Sequence, residues 1–302
     1  MFSHIKWIRL RATFMAQRDG QLPPYLGSTV RGLLGHSLRK MVCPTPKIKC
    51  YACELAATCD YANYFVSPKN VAGSVNPFVL NVLTKDKTIW NKGDICEFDI
   101  TLLGDAAHSG VTLITQAIQQ IENLGWGAAR IPFKLVKITD PTTNRMVWCK
   151  HQLWLKNVQI HELNGKERST SFVFLHFSAP LRLQKSKQLL TAPSFEDLIR
   201  ASARRVGLIS HAYAGYKLEW DSEAMLAEAR KVKVVNSDWE QAKFKRYSMN
   251  QKNKTLEVDT ITGWACYKGD ITPFTPILEA GRLLHIGRNP THGFGYYTID
   301  YL

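Results

Sequence analysis

Apolar and polar positions divide the chain into segments of two different periods. Along residues 5–14 apolar side chains alternate or run together, as in a half-buried strand. After a turn at Asp19 and Gly20 the period changes. Val30, Leu33, Leu34, Leu38, Met41 and Val42 recur at spacings of three and four, which predicts an amphipathic helix over 27–42 with Ser28 or Thr29 as its cap. Strand-like runs follow at 78–83 and 95–103, then a helix over 111–124 that stops at Gly125 and Gly127, then a strand over 131–138. That β-α-β-β-α-β order is the order of a ferredoxin-like unit. The later chain repeats it, with a strand at 171–177, a helix at 195–209, strands at 243–249 and 256–267, a helix at 276–284 and a last strand at 293–299. The pattern predicts an α+β protein of two similar halves that meet between 140 and 170.

Composition narrows what those halves do. The chain has 302 residues, 45% of them hydrophobic, which is enough for real cores. Lys and Arg number 39 against 25 Asp and Glu, a net charge of +14 that favours a polyanionic partner. A basic protein with no such partner is the plainer alternative. No basic amphipathic helix with a Trp/Leu face is present, so nucleic acid is preferred over a membrane surface. Apolar runs fall far short of the roughly 20 residues that span a bilayer, and the first residues lack the features of a signal peptide. A soluble, cytoplasmic protein is expected.

Seven cysteines, an odd number in a chain of this size, argue against a disulfide framework. Cys43, Cys50, Cys53 and Cys59 crowd into one short stretch, CPTPKIKCYACELAATC. Four thiolates with an inner Cys-x2-Cys suit a structural zinc, an iron–sulfur cluster uses the same ligands, and a chance group of free thiols is the third reading. Four thiolates leave zinc no open position, so no catalytic cofactor is expected there. Lys47 and Lys49 would offset the charge of such a site or touch nucleic-acid phosphates.

The stretch HIGRNPTHGFGY at 285–296 carries glycines at 287, 293 and 295. Glycine lets a backbone approach a phosphate closely, and Arg288 and Thr291 could add charge and hydrogen bonds. A tight turn before a strand has the same composition. The stretch is not a P-loop, because no Lys-Ser/Thr follows its last glycine.

Three stretches in order, LPPYLGSTVRGLLGH at 22–36, the cysteine run and the glycine-rich end, resemble the RAMP-superfamily endoribonucleases that process precursor CRISPR RNA. LGWGAAR at 124–130 and Arg246, Tyr247 and Ser248 fit the same resemblance, and the cysteine run resembles an insertion found in one branch. The resemblance implies two ferredoxin-like (RRM-like) domains in tandem: residues 1–150 with the cysteine-rich insertion at 43–66, and residues 151–302 with the glycine-rich loop. It implies CRISPR repeat RNA as partner, further effector-complex subunits as additional partners, and cleavage without a metal through attack of a 2′-hydroxyl that leaves a cyclic phosphate. His36 then takes the position of the catalytic histidine. Lys40, one turn later, could hold the scissile phosphate, and Tyr25 could orient the 2′-hydroxyl. Arg31, Arg39, Arg130, Gly287, Arg288, Thr291, Gly293 and Gly295 become the RNA-binding candidates. His285 and His292 are alternative proton carriers, and Trp126, Phe244 and Tyr247 could stack on bases. The rival functions are an RNA-holding subunit of the same fold that does not cut, for which His36 is dispensable, and an iron–sulfur redox sensor.

Overall fold

The computed structural model describes residues 1–66, 75–247 and 255–302, without the side chains of 245–247, 255 and 256. These residues form two compact units. The N-terminal unit holds His4–Glu162 together with Ala212–Gly215, and the C-terminal unit holds Met1–Ser3, Leu163–His211 and Tyr216–Leu302.

The N-terminal unit is built on strands β1 (Phe2–Ala16), β2 (Phe78–Val82), β3 (Ile95–Leu103) and β4 (Ile131–Asp140), extended by β5 (Arg145–Cys149). They lie in the order β2-β3-β1-β4-β5, with antiparallel pairing between neighbours. Helices α1 (Gly27–Val42) and α2 (Val111–Gln120) are the two crossovers of the β-α-β-β-α-β unit. Strand β1 explains the layering. Ile8, Leu10, Ala12, Phe14 and Ala16 are fully buried on one face, as the two-residue period of a strand requires. The other face carries cross-strand polar pairs in register: Arg9 donates to Thr101, Arg11 makes a two-bond contact with Asp99 (2.8 and 3.0 Å), and Thr13 donates to Glu97 at 2.7 Å. Ala212–Gly215, from far along the chain, complete this unit. Tyr213 donates to the carbonyl of Val75 at 2.6 Å.

The C-terminal unit repeats the plan with β6 (Phe172–Leu181), α3 (Phe195–Ala214), β7 (Lys233–Tyr247), β8 (Thr255–Lys268), α4 (Thr275–Leu284) and β9 (Thr298–Tyr301). Its strand order, β7-β8-β6-β9, is again that of a ferredoxin-like unit. The buried guanidinium of Arg205 donates to the carbonyl of Leu284 at 3.0 Å and satisfies the last turn of α4. Phe2, from the chain's start, is buried here against Trp220, with ring centroids 6.1 Å apart.

Three local expectations change. Helix α1 begins at Gly27 with Leu26 in the capping position, and neither Ser28 nor Thr29 caps it. The buried side chains of Leu22 and Leu26 anchor the entry, so the hydroxyls fall inside the first turn. Met41, expected in the apolar stripe, is exposed. The strand expected at 293–299 starts only at Thr298, because Gly293 (φ 84°) and Gly295 (φ 75°) have left-handed backbone that a strand cannot use. Of the strand expected at 243–249, Ser248 and Met249 lie outside the described residues.

Candidate nucleic-acid interface

Helix α1 sorts its side chains by face. Val30, Leu33, Leu34 and Leu38 are buried, and Gly35 packs so close to Phe65 that a Cβ there would sit 3.0 Å from the ring. His36 falls in the gap of the apolar stripe and is exposed, as is Lys40 one turn later. Among the described residues neither side chain makes a hydrogen bond or ion pair, so the face presents an imidazole and an ammonium to solvent together. Tyr25, at the helix entry, is partly covered, and burial pushes its hydroxyl pKa upward. The phenol keeps its proton at neutral pH.

The neighbouring arginines face other ways. Arg39 donates to the carbonyls of Pro46 (2.9 Å) and Ile48 (3.3 Å) and lies over the Tyr61 ring at 5.6 Å. Arg31 lies over the Phe65 ring at 5.3 Å. Both brace the segment after α1, and each is half-buried. Arg130 is exposed at the tip of the turn before β4, with left-handed backbone (φ 48°).

The glycine-rich loop is folded against its own unit. The N–H of Gly295 donates to Pro180 (2.8 Å), that of Ile286 to Gly295 (3.1 Å) and that of Arg288 to Arg182 (3.0 Å). The N–H groups of His292, Gly293 and Phe294 are likewise bonded to the carbonyls of Asn289 and Pro290. These amides are occupied by the protein's own carbonyls, which leaves them unavailable to a phosphate. A Cβ on Gly295 would lie 1.8 Å from the Ile286 carbonyl oxygen, and one on Gly287 would lie 2.6 Å from that of Arg182. Thr291, His285 and His292 are buried, at 5%, 3% and 8% exposure, with His285 against Tyr296 and His292 against Phe294. Only Arg288, exposed and without a hydrogen bond or ion pair of its side chain among the described residues, points a charge outward from this loop.

Of the aromatic candidates, Trp126 is fully buried and stacked on Phe133 at 4.5 Å, so it is a core residue. Phe244 packs edge-on against Phe294 at 5.0 Å, and the side chain of Tyr247 lies outside the described residues. Trp7, which the sequence did not single out, stacks on His161 at 4.7 Å and donates to the carbonyl of Glu162. An alternating strand gives no sign of such a pair.

The four clustered cysteines are unpaired and half-exposed. Cys50 lies within electrostatic reach of Cys43, Cys53 and Cys59, and its thiol pKa is raised chiefly by burial and also by those three thiols, against the lowering effect of Arg39. Among the described residues no three His, Cys, Asp or Glu side chains are arranged to hold a metal ion.

Two family models cover most of the chain. Residues 5–162 match the AF_1859 N-terminal domain, and residues 175–297 match the CRISPR-associated endoribonuclease Cas6. The chain thus joins an AF_1859 N-terminal domain to a Cas6 endoribonuclease domain. An uncharacterized protein of Archaeoglobus fulgidus is 23% identical over 288 residues, 92% of each chain. Solved Cas6 structures share the fold at low identity. A chain of a Cas6-RT-Cas1–Cas2 complex aligns over 99% of this chain with a TM-score of 0.63 at 10% identity, and this chain spans 29% of its length. A Cas6 product complex aligns over 97% of this chain and 100% of its own, with a TM-score of 0.58 at 12% identity. The Cas6 domain makes the chain an endoribonuclease of CRISPR RNA processing. No helix among the described residues is long and apolar enough to cross a membrane.

Proposed function

We propose that the chain cuts precursor CRISPR RNA within its repeats, without a catalytic metal, by attack of the 2′-hydroxyl beside the scissile phosphate. The observation that carries this reading is the open face of α1, where His36 and Lys40 stand exposed one turn apart. The reaction needs one proton removed from the 2′-hydroxyl and one delivered to the departing 5′-oxygen. An imidazole serves either task near neutral pH. His36 carries one of these protons, and the Lys40 ammonium balances the charge that builds on the phosphorane. Tyr25, held protonated, donates a hydrogen bond to a phosphate or ribose oxygen. The O2′–P bond forms as the P–O5′ bond breaks, giving a 2′,3′-cyclic phosphate and a 5′-hydroxyl. Arg130 and Arg288 are outward-facing cations that neutralise backbone phosphates. Other subunits of an effector complex are further partners.

Incubation with the host's CRISPR repeat RNA in excess EDTA tests the reading. The wild type should cut once per repeat and leave a cyclic phosphate, while His36→Ala should bind with similar affinity and cut at least ~100-fold more slowly. Tight binding with no cut by the wild type would make the chain an RNA-holding subunit. Cleavage by His36→Ala at the wild-type rate would remove His36 from the chemistry.

A further inference from the structure

The stretch from 43 to 60 has an unusual inside. Two thirds of its residues are exposed, including Ile48, Tyr51 and Leu55, which carry large apolar surface. The positions that turn away from solvent are Cys43, Cys50, Cys53 and Cys59, together with Thr45 and Ala56. Thr45 belongs to the same cluster, since its hydroxyl lies 3.6 Å from the Cys53 sulfur. The short helical turns Cys50–Ala52 and Glu54–Ala57 bury none of their residues. A segment of this length loses much conformational entropy when it orders, and apolar burial normally offsets that loss. Here four of the six inward positions are thiols, and none of them is paired in a disulfide.

We propose that Cys43, Cys50, Cys53 and Cys59 bind one zinc ion as a closed tetrathiolate, which serves as the missing core of this segment and fastens it to the end of helix α1. The spacing supports it. Cys50 and Cys53 flank one tight turn in which the Cys53 N–H donates to the Cys50 carbonyl at 3.3 Å, which keeps the two residues close along a short loop. Cys43 directly follows α1, and its N–H donates to the Arg39 carbonyl at 2.9 Å. Cys59 directly precedes the helix Asp60–Phe65, whose Phe65 packs on Gly35 of α1. One ion would thus tie the two anchored ends of the segment to the turn between them. The charge also fits. Four thiolates around a divalent ion leave net negative charge, and the Arg39 guanidinium lies against this cluster, with Lys47 and Lys49 between the ligands. The thiols do not yet meet in a ligand shell. Binding of the ion closes it, with release of thiol protons to solvent. With all four positions taken by sulfur, the ion has no place for substrate, so its role is structural.

Elemental analysis of the full chain, purified without chelator from zinc-supplemented cells, is the direct test. About one zinc per chain is expected. Cys50→Ser should lose it, while Cys149→Ser, outside the segment, should keep it. Should Cys50→Ser fail to fold, the wild type still answers through organomercurial titration, which should release zinc as four thiols are consumed and open 43–60 to protease. A wild type with no stoichiometric zinc, zinc retained by the Cys50→Ser Cys53→Ser double variant, or a brown iron-containing chain would each overturn the assignment. None of these readouts depends on RNA cleavage, so this inference and the proposed chemistry stand or fall separately.

Discussion

Replacing Gly295 by alanine distinguishes a loop that packs from a loop that cradles phosphate. Gly295 has φ of 75°, and a Cβ would lie 1.8 Å from the Ile286 carbonyl oxygen, so the backbone must move. Holding alanine in left-handed backbone costs about 1–2 kcal/mol. The movement also disturbs two hydrogen bonds, Gly295 N–H to Pro180 at 2.8 Å and Ile286 N–H to Gly295 at 3.1 Å. Each contributes about 1 kcal/mol net, which brings the total to about 3–4 kcal/mol. For a unit of this size that corresponds to a melting transition roughly 10 °C lower. Thermal unfolding followed by circular dichroism gives the stability, and repeat RNA binding measured well below the transition gives the affinity. The expected outcome is a large drop in melting temperature with RNA affinity retained at low temperature. An unchanged melt with lost affinity would refute the packing account and restore the loop as a phosphate cradle.

Arg288→Ala should do the reverse: no change in melting, with repeat RNA bound several-fold more weakly and the salt dependence of log Kd shallower by about one. On the polar face of β1, Asp99 is 3% exposed while Arg11 is 34% exposed. Arg11→Met, which strands the buried carboxylate, should therefore cost about 3 kcal/mol in urea unfolding, more than Asp99→Asn; equal costs would refute the asymmetry. Cys96 is buried and its thiol pKa is pushed up to about 12, so in the native chain it should resist alkylation that Cys43 and Cys59 undergo once any metal is stripped. Mass-spectrometric mapping of the labelled sites checks this.

What the sequence made legible follows from which interactions leave a local imprint. Burial against a sheet imposes periods of two and of three to four, and β1, α1, α2, β6 and α4 were readable from them. The exposure of His36 follows from its place at or off the edge of the apolar stripe, whereas its catalytic role was only what the resemblance implied. Strand β7 was mostly invisible. From Lys233 to Lys243 every side chain except Trp239 is exposed, so no apolar alternation marks it, and the ladder to β8 holds it instead. Adjacent basic residues were equally opaque. Whether Arg39 or Lys40 faces solvent depends on the carbonyls of Pro46 and Ile48, which only the folded segment places. The glycines at 287, 293 and 295 announce a close approach of backbone, but their spacing does not say whether the approaching oxygen belongs to a phosphate or to Ile286.

Each unit takes in a short piece of chain from outside its main stretch of sequence. Met1–Ser3 belongs to the C-terminal unit, where Phe2 is buried, and Ala212–Gly215 belongs to the N-terminal unit, where Tyr213 reaches Val75. A gene split between residues 162 and 163 would therefore yield two fragments, each missing a piece that its counterpart carries. Neither half could serve as a transplantable module as it stands, and a working split version would have to reassemble by complementation, with each fragment completing the other's fold.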